Sequence, residues 1–189
     1  MSDQPCRPYD IDRNGINLGE AVTAMRISKS KQEALVEILA DSTINDANHI
    51  SGPSRTGEGL YRSIYNILQQ TNIDKYAIDF ISSHGTATVY NDQMEAIAFD
   101  RLKLNHIPIF SLKGYFGHTL GAAGLLETII SIECMKQQII PRSLGFQTLG
   151  DFPFINVTTN TIKKQSNVFM KTASGFGGTN AAILFKNII

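Results

Sequence analysis

The sequence predicts an α/β fold, a mixed sheet with helices packed on its faces. Three observations point there: strand-length apolar runs alternate with helical patterns, the last third returns to short strands, and the loops between them concentrate Gly, Thr and His. At 189 residues the chain is expected to form one domain, 1–189, burying roughly 70% of the surface its unfolded form would expose.

In order along the chain, residues 15–27 read as a strand entered through a glycine turn, and 34–41 as a second strand. A polar loop rich in Ser, Asn, Gly and Pro follows over 42–59. Thr56 and Gly57 then open a helix to about Gln70, with Leu60, Ile64, Ile67 and Leu68 on one face. Ile78 to Ser82 is a short buried strand, Asp92 to Leu104 a helix, and Ile107 to Leu112 another strand. From Gly121 a helix runs to about Gln138 with nearly continuous apolar residues, which predicts burial on most sides. Short strands close the chain near 154–158, 167–173 and 180–186.

Composition narrows the function. Seventeen basic residues balance seventeen acidic ones, and no Lys/Arg block occurs, which argues against nucleic acid as the main ligand. Charged residues are 18%, below the usual ~25%, so more surface than average is expected to be covered, by the core or by a partner. Cys6 and Cys134 cannot make a disulfide framework, which fits a reducing cytoplasm. The N-terminus carries no signal-peptide core, and Glu127 and Glu133 interrupt the most apolar stretch, so no membrane span is expected.

One motif is a decoy. Asp10-x-Asp12-x-Asn14-Gly15 begins like a calcium loop, but its twelfth position is Ala21 and the glutamate falls one residue early, at Glu20. No metal site is expected. Three loops carry more. Ser82-Ser83-His84-Gly85-Thr86-Ala87-Thr88 leaves a buried strand where α/β proteins place ligand contacts, although a capped structural histidine fits the spacing equally well. Lys113-Gly114-Tyr115-Phe116-Gly117-His118 precedes the small-residue start of the apolar helix. The positive end of that helix favours a neutral imidazole, which can still donate one N–H to an oxyanion. Lys113 sits among apolar residues and would be costly to bury unpaired, making Glu127 an attractive partner; the plain alternative is a helix cap with an exposed lysine. Gly175-Phe176-Gly177-Gly178-Thr179-Asn180 can expose backbone N–H groups, and alone it reads as a tight hairpin.

Together, in order and over nearly the whole chain, these segments resemble the C-terminal half of a β-ketoacyl-acyl-carrier-protein synthase, a condensing enzyme of the thiolase superfamily. The match also takes in Arg7-Pro8-Tyr9-Asp10, Arg13-Asn14-Gly15, Leu18-Gly19-Glu20 and Asn91-Asp92. It accounts for the false calcium loop. The resemblance implies a thiolase-like layered half-domain and an acyltransferase of fatty acid or polyketide synthesis. In such enzymes an acyl chain moves onto a cysteine; malonyl-carrier then loses carbon dioxide, and the enolate attacks the acyl-cysteine.

By this resemblance His84 and His118 would donate Nε2–H bonds to the malonyl thioester oxygen, each worth about 2.7–4 kcal/mol to the transition state. Lys113 with Glu127 would position them, and Phe176 would gate the acyl pocket and lend its N–H to an oxyanion hole. Thr86 and Thr88 would hold the phosphopantetheine arm of acyl-carrier protein, with Ser51 in the His49–Pro53 stretch further along its tunnel. No cofactor of the chain's own is implied. The nucleophile is missing: two prolines flank Cys6, and Cys134 falls inside the apolar helix. The expected partners are therefore acyl-carrier protein and an N-terminal half or partner synthase subunit, with self-association where that half is lacking. Departures from the family pattern are Ala87 for glycine, Ser83 for alanine and Ser174 for phenylalanine, the last bearing on acyl-chain preference. A non-catalytic partner subunit or a carrier-protein binding module that shapes an acyl tunnel is the alternative.

Overall fold

The computed structural model describes residues 1–188 apart from Asp3, Ser51 and Pro53. Its frame is a five-stranded mixed sheet, in spatial order β1 (Val36–Asn45), β7 (Thr179–Asn187), β6 (Val168–Ser174), β2 (Phe80–Ser82) and β3 (Ile109–Phe110). β2 runs parallel to both β3 and β6, whereas β7 is antiparallel to β6 and β1. The buried parallel strands β6, β2 and β3 thus form one side of the sheet, and the antiparallel β7 and β1 extend it to the other edge. A separate two-stranded ladder joins β4 (Ile139–Ile140) to β5 (Ile162–Lys163).

Helices cover both faces. Leu60, Ile64 and Ile67 of α1 (Glu58–Gln70) and Met94, Ala98 and Phe99 of α2 (Val89–Arg101) pack on one side, against Ile81, Met170, Ala182 and Leu184. On the other side Ile132 and Met135 of α4 (Ala123–Lys136) meet Phe80, Phe110, Phe169 and Phe185. Strand alternation explains the division, since residues two apart share a face. Phe169 stacks between Phe80, at 5.1 Å, and Phe185, at 4.8 Å, and all three are buried. A four-residue turn of helix, α3 (Lys113–Phe116), lies between β3 and α4.

Local chemistry sets the helix starts. α1 begins at Gly57, whose φ of 65° is left-handed and whose absent Cβ would press on the carbonyl oxygen of Met94. α2 starts at Val89, three residues earlier than the apolar pattern implies, because extended Thr88 is its N-cap. α4 is preceded by a 3₁₀ turn, Leu120–Ala122. It turns Glu127, Thr128 and Ser131 inward and leaves Leu125, Leu126, Ile129 and Ile130 half-buried, which reverses ordinary amphipathicity.

Two expected strands are absent. Residues 15–27 form no ladder; Leu18 makes one isolated bridge to His118, because no neighbouring strand among the described residues lies beside them. The 154–158 strand reduces to one bridge, Val157 to Ile109. No helix among the described residues is long and apolar enough to cross a membrane.

Phe169→Ala removes the middle ring of the aromatic stack and is expected to cost about 3–5 kcal/mol of unfolding free energy. A urea titration showing a loss below 1 kcal/mol would contradict this account of the core.

Candidate active site

β2, β3 and β6 end on one side of the sheet, and the polar loops leave from there, as ligand sites in α/β sheets do. The first loop is held by its backbone. Glu95 of α2 accepts the N–H groups of His84 (3.0 Å) and Gly85 (2.6 Å), and Asp92 accepts that of Thr86 (3.0 Å). Tyr9 ties the chain start to the same carboxylates, its hydroxyl donating to Glu95 (2.9 Å) and its N–H to Asp92 (2.7 Å). Burial, then the charge of Glu95, pushes Asp92 up to about 7; burial likewise raises Glu95. Gly85 has a left-handed φ of 40°, and a Cβ there would collide with Ser111. Ala87 is also left-handed, at 61°, a conformation costing an L-residue about 1–2 kcal/mol. It is fully buried, and its carbonyl accepts the Gly15 N–H at 2.9 Å.

Beneath this loop is an ionic cluster. Lys113, fully buried at the start of α3, donates to Glu127 Oε1 (2.6 Å) and to the His84 carbonyl (2.5 Å), with His84 Nδ1 at 3.3 Å. An ammonium offers only donors, so His84 Nδ1 must accept, and the ring proton resides on Nε2. The second imidazole reaches the same state differently: Leu120 donates its N–H to His118 Nδ1 at 3.1 Å, which leaves the His118 proton on Nε2. The two rings are 5.2 Å apart, centroid to centroid, and nearly perpendicular at 83°.

Both imidazoles are held neutral. Burial, then the charge of Lys113, lowers His84 well below the usual range. The same two causes bring His118 down to about 4. Burial alone would raise Glu127, but Lys171 and Lys113 together hold it below the usual carboxylate range.

Above the cluster opens a cavity of about 670 Å³, lined by His84, His118, Thr86, Thr88, Phe176 and Asn180 among others. The hydroxyls of Thr86 and Thr88 are bonded to each other at 2.8 Å. Phe176 stands at the cavity, 84% exposed, in a 3₁₀ turn (Phe176–Gly178). That turn is pinned to the 46–50 loop by Asp46 N–H to Gly178 O and Gly177 N–H to Ile50 O. The site residues expected from sequence therefore come together, except Ser51, which lies outside the described residues. A second cavity of about 520 Å³ is framed by residues 25–38 and α4, away from both imidazoles.

Neither cysteine lines the larger cavity. Cys6 is buried and bonded to the Asn17 side chain at 3.0 Å, and burial raises both the Cys6 and the Cys134 thiol. Asp10, the first residue of the calcium decoy, spends its carboxylate on the N–H groups of Asp12, Gln147 and Thr148. No His, Cys, Asp or Glu group able to hold a metal occurs among the described residues.

Sequence reasoning missed Asp92 and Glu95 as clamps and Lys171 as a buried cation. The first two carried a signal, carboxylates three apart on one helix (i, i+3). Lys171 carried another, a lone lysine in the apolar strand Val168-Phe169-Met170-Lys171.

Layered helices about a mixed sheet, with polar loops gathered at its parallel strand ends, define a half-domain of the thiolase-like ketosynthase fold. The chain belongs to the family described as "Beta-ketoacyl synthase, C-terminal domain", whose pattern matches residues 35–147. It is 32% identical to 3-oxoacyl-[acyl-carrier-protein] synthase 2 of Rhizobium meliloti over 95% of this chain and 45% of that protein. With the putative mitochondrial 3-oxoacyl-[acyl-carrier-protein] synthase of Schizosaccharomyces pombe it shares 30% identity over 97% of this chain and 46% of that one. The ishigamide ketosynthase/chain length factor superposes with a TM-score of 0.89 at 26% identity, covering 100% of this chain and 48% of that one. The chain thus spans about half the length of the curated relatives it matches.

Because His118 titrates near 4 when folded and about 6.5 when unfolded, it contributes stability above pH 6.5 that is lost as pH falls toward 4. Asp92 acts oppositely, its contribution being lost as pH rises through about 7. His118→Asn, which can still accept the Leu120 N–H, removes the first effect alone. The stability gap, taken as wild type minus this variant in urea, is therefore expected to fall between pH 7 and 4.5. A constant gap would contradict the neutral assignment.

Proposed function

We propose that this chain supplies the malonyl-decarboxylating part of a β-ketoacyl-acyl-carrier-protein synthase, with the acyl-carrying cysteine coming from an N-terminal half. The observation that carries this reading is the pair of neutral imidazoles, His84 buried and His118 half-buried, each with its proton assigned to Nε2, at one cavity. The names of its relatives, 3-oxoacyl-[acyl-carrier-protein] synthases, support it.

In the proposed reaction malonyl thioester lies in the cavity, its carbonyl oxygen facing His84 and His118. The bond to the carboxylate breaks, carbon dioxide leaves, and the electron pair moves into an enolate whose charge gathers on that oxygen. Two N–H donors in a site with little water stabilise this charge as it develops. The enolate carbon then attacks the acyl thioester on the cysteine, the tetrahedral oxygen being received at the Phe176 N–H. The new carbon–carbon bond forms and the cysteine thiolate departs. Lys113 and Glu127 orient His84. Thr86 and Thr88 exchange their mutual hydrogen bond for bonds to the carrier's pantetheine arm. Acyl-carrier protein is thus the substrate-bearing partner, and the chain needs no cofactor of its own.

His84→Ala and His118→Ala are each expected to slow carbon dioxide release from malonyl-carrier protein by about 10²–10³-fold in the enzyme reconstituted with a cysteine-bearing half. Unchanged rates would return the chain to the class of non-catalytic partner subunits. The acid limb of the wild-type profile should lie near pH 4, where a proton on His118 Nδ1 breaks the Leu120 N–H bond that aims the ring.

Condensation should be absent from the 189-residue chain alone and, once reconstituted, blocked by iodoacetamide. Iodoacetamide-insensitive condensation by the chain alone would overturn the division of labour.

A further inference from the structure

Lys171 stands on β6, and its side chain shares the α4 face of the sheet with Phe169, two residues before it. It is 3% exposed. Three carbonyls accept from its Nζ, Thr172 at 2.7 Å and Ser82 and Ser83 each at 3.2 Å, and Glu127 Oε2 lies 2.6 Å away in an ion pair. The Ser82 and Ser83 carbonyls belong to the residues immediately before His84, whose own carbonyl is taken by Lys113. Three consecutive carbonyls at the end of β2 are therefore held by two ammonium groups that share one carboxylate.

This is more charge than the fold requires. Buried ions are expensive to desolvate, and a packed apolar residue generally serves stability as well or better. Two cations on one carboxylate also set ammonium groups beneath the rings, where a site that stabilises a developing anion would use them.

We infer that Lys171 is a positioning residue of the two-imidazole site: it fixes Glu127 and the backbone that carries His84, and it sets a second positive charge beneath both rings. The inference rests on the decarboxylation reading above. The ionisable groups facing Lys171 are Glu127 from α4, Lys113 from α3 and Glu95 from α2. His84 and His118 both sense its charge. With Lys171 absent, Glu127 keeps one cation, the cluster loses its excess charge, and the imidazoles become easier to protonate.

Two variants of the full chain test this. Lys171→Met removes charge and donors. Lys171→Ser leaves room for a water among the Ser82 and Ser83 carbonyls and Glu127 Oε2. The readout is the NMR titration of the His118 ring, which needs no turnover. Its midpoint is expected to rise measurably from near 4, with the acid limb of carbon dioxide release in the reconstituted enzyme moving up in parallel. A folded variant whose His118 titrates as in wild type would overturn the inference, as would failure of both variants to fold, which would make Lys171 a residue of the fold alone. A shifted titration with no effect of His118→Ala on carbon dioxide release would instead uphold Lys171's action on the ring and reject the decarboxylation reading.

Discussion

The site depends on one buried carboxylate. Glu127 takes Lys113 on one oxygen and Lys171 on the other, each at 2.6 Å, and through them it reaches His84 and the end of β2. Either ammonium would be intolerable in this core without it, since a buried unpaired charge is among the costliest features a fold can carry. The inward polar groups of α4 follow from the same need: beside Ile132 and Met135 the helix brings a carboxylate to the sheet, and it leaves Leu125, Leu126, Ile129 and Ile130 half-buried.

The second constraint is tautomeric. A neutral imidazole has one donor, and its usefulness toward an oxyanion depends on which nitrogen holds the proton. Here an ammonium makes the choice at His84 and a backbone N–H makes it at His118. Both solutions leave Nε2 as the donor, and both rings resist protonation because burial, and then the charge of Lys113, disfavours the cation. Geometry and electrostatics thus reinforce one state rather than trading against each other.

Much of this was legible in the sequence. The α/β class, α1, the parallel strands β2 and β3 and the pairing of Lys113 with Glu127 follow from periodicity and from the cost of burying a lone lysine. The strand expected over 15–27 shows where such reasoning stops: alternation describes a chain that could pair, whereas a ladder also needs a neighbour. Lys171 was overlooked for the opposite reason. A single charge inside an apolar strand reads as an edge or an interruption, and only the sheet order, with β6 beside β2, turns it toward Glu127. Asp92 and Glu95 take mostly backbone N–H groups, so their (i, i+3) spacing places two carboxylates on one helix face without saying which amides they hold.

That last arrangement separates shape from chemistry. Because α2 grips the amides of residues 84 to 86, the contour of the loop is indifferent to what those residues carry beyond their Cβ atoms, Gly85 excepted. Side chains at 84 and 86 can be exchanged without redrawing the path of the main chain. The main-chain path is set by the groups around it, amides by α2 and carbonyls by the two lysines, while the reactive surface it displays is free to diversify.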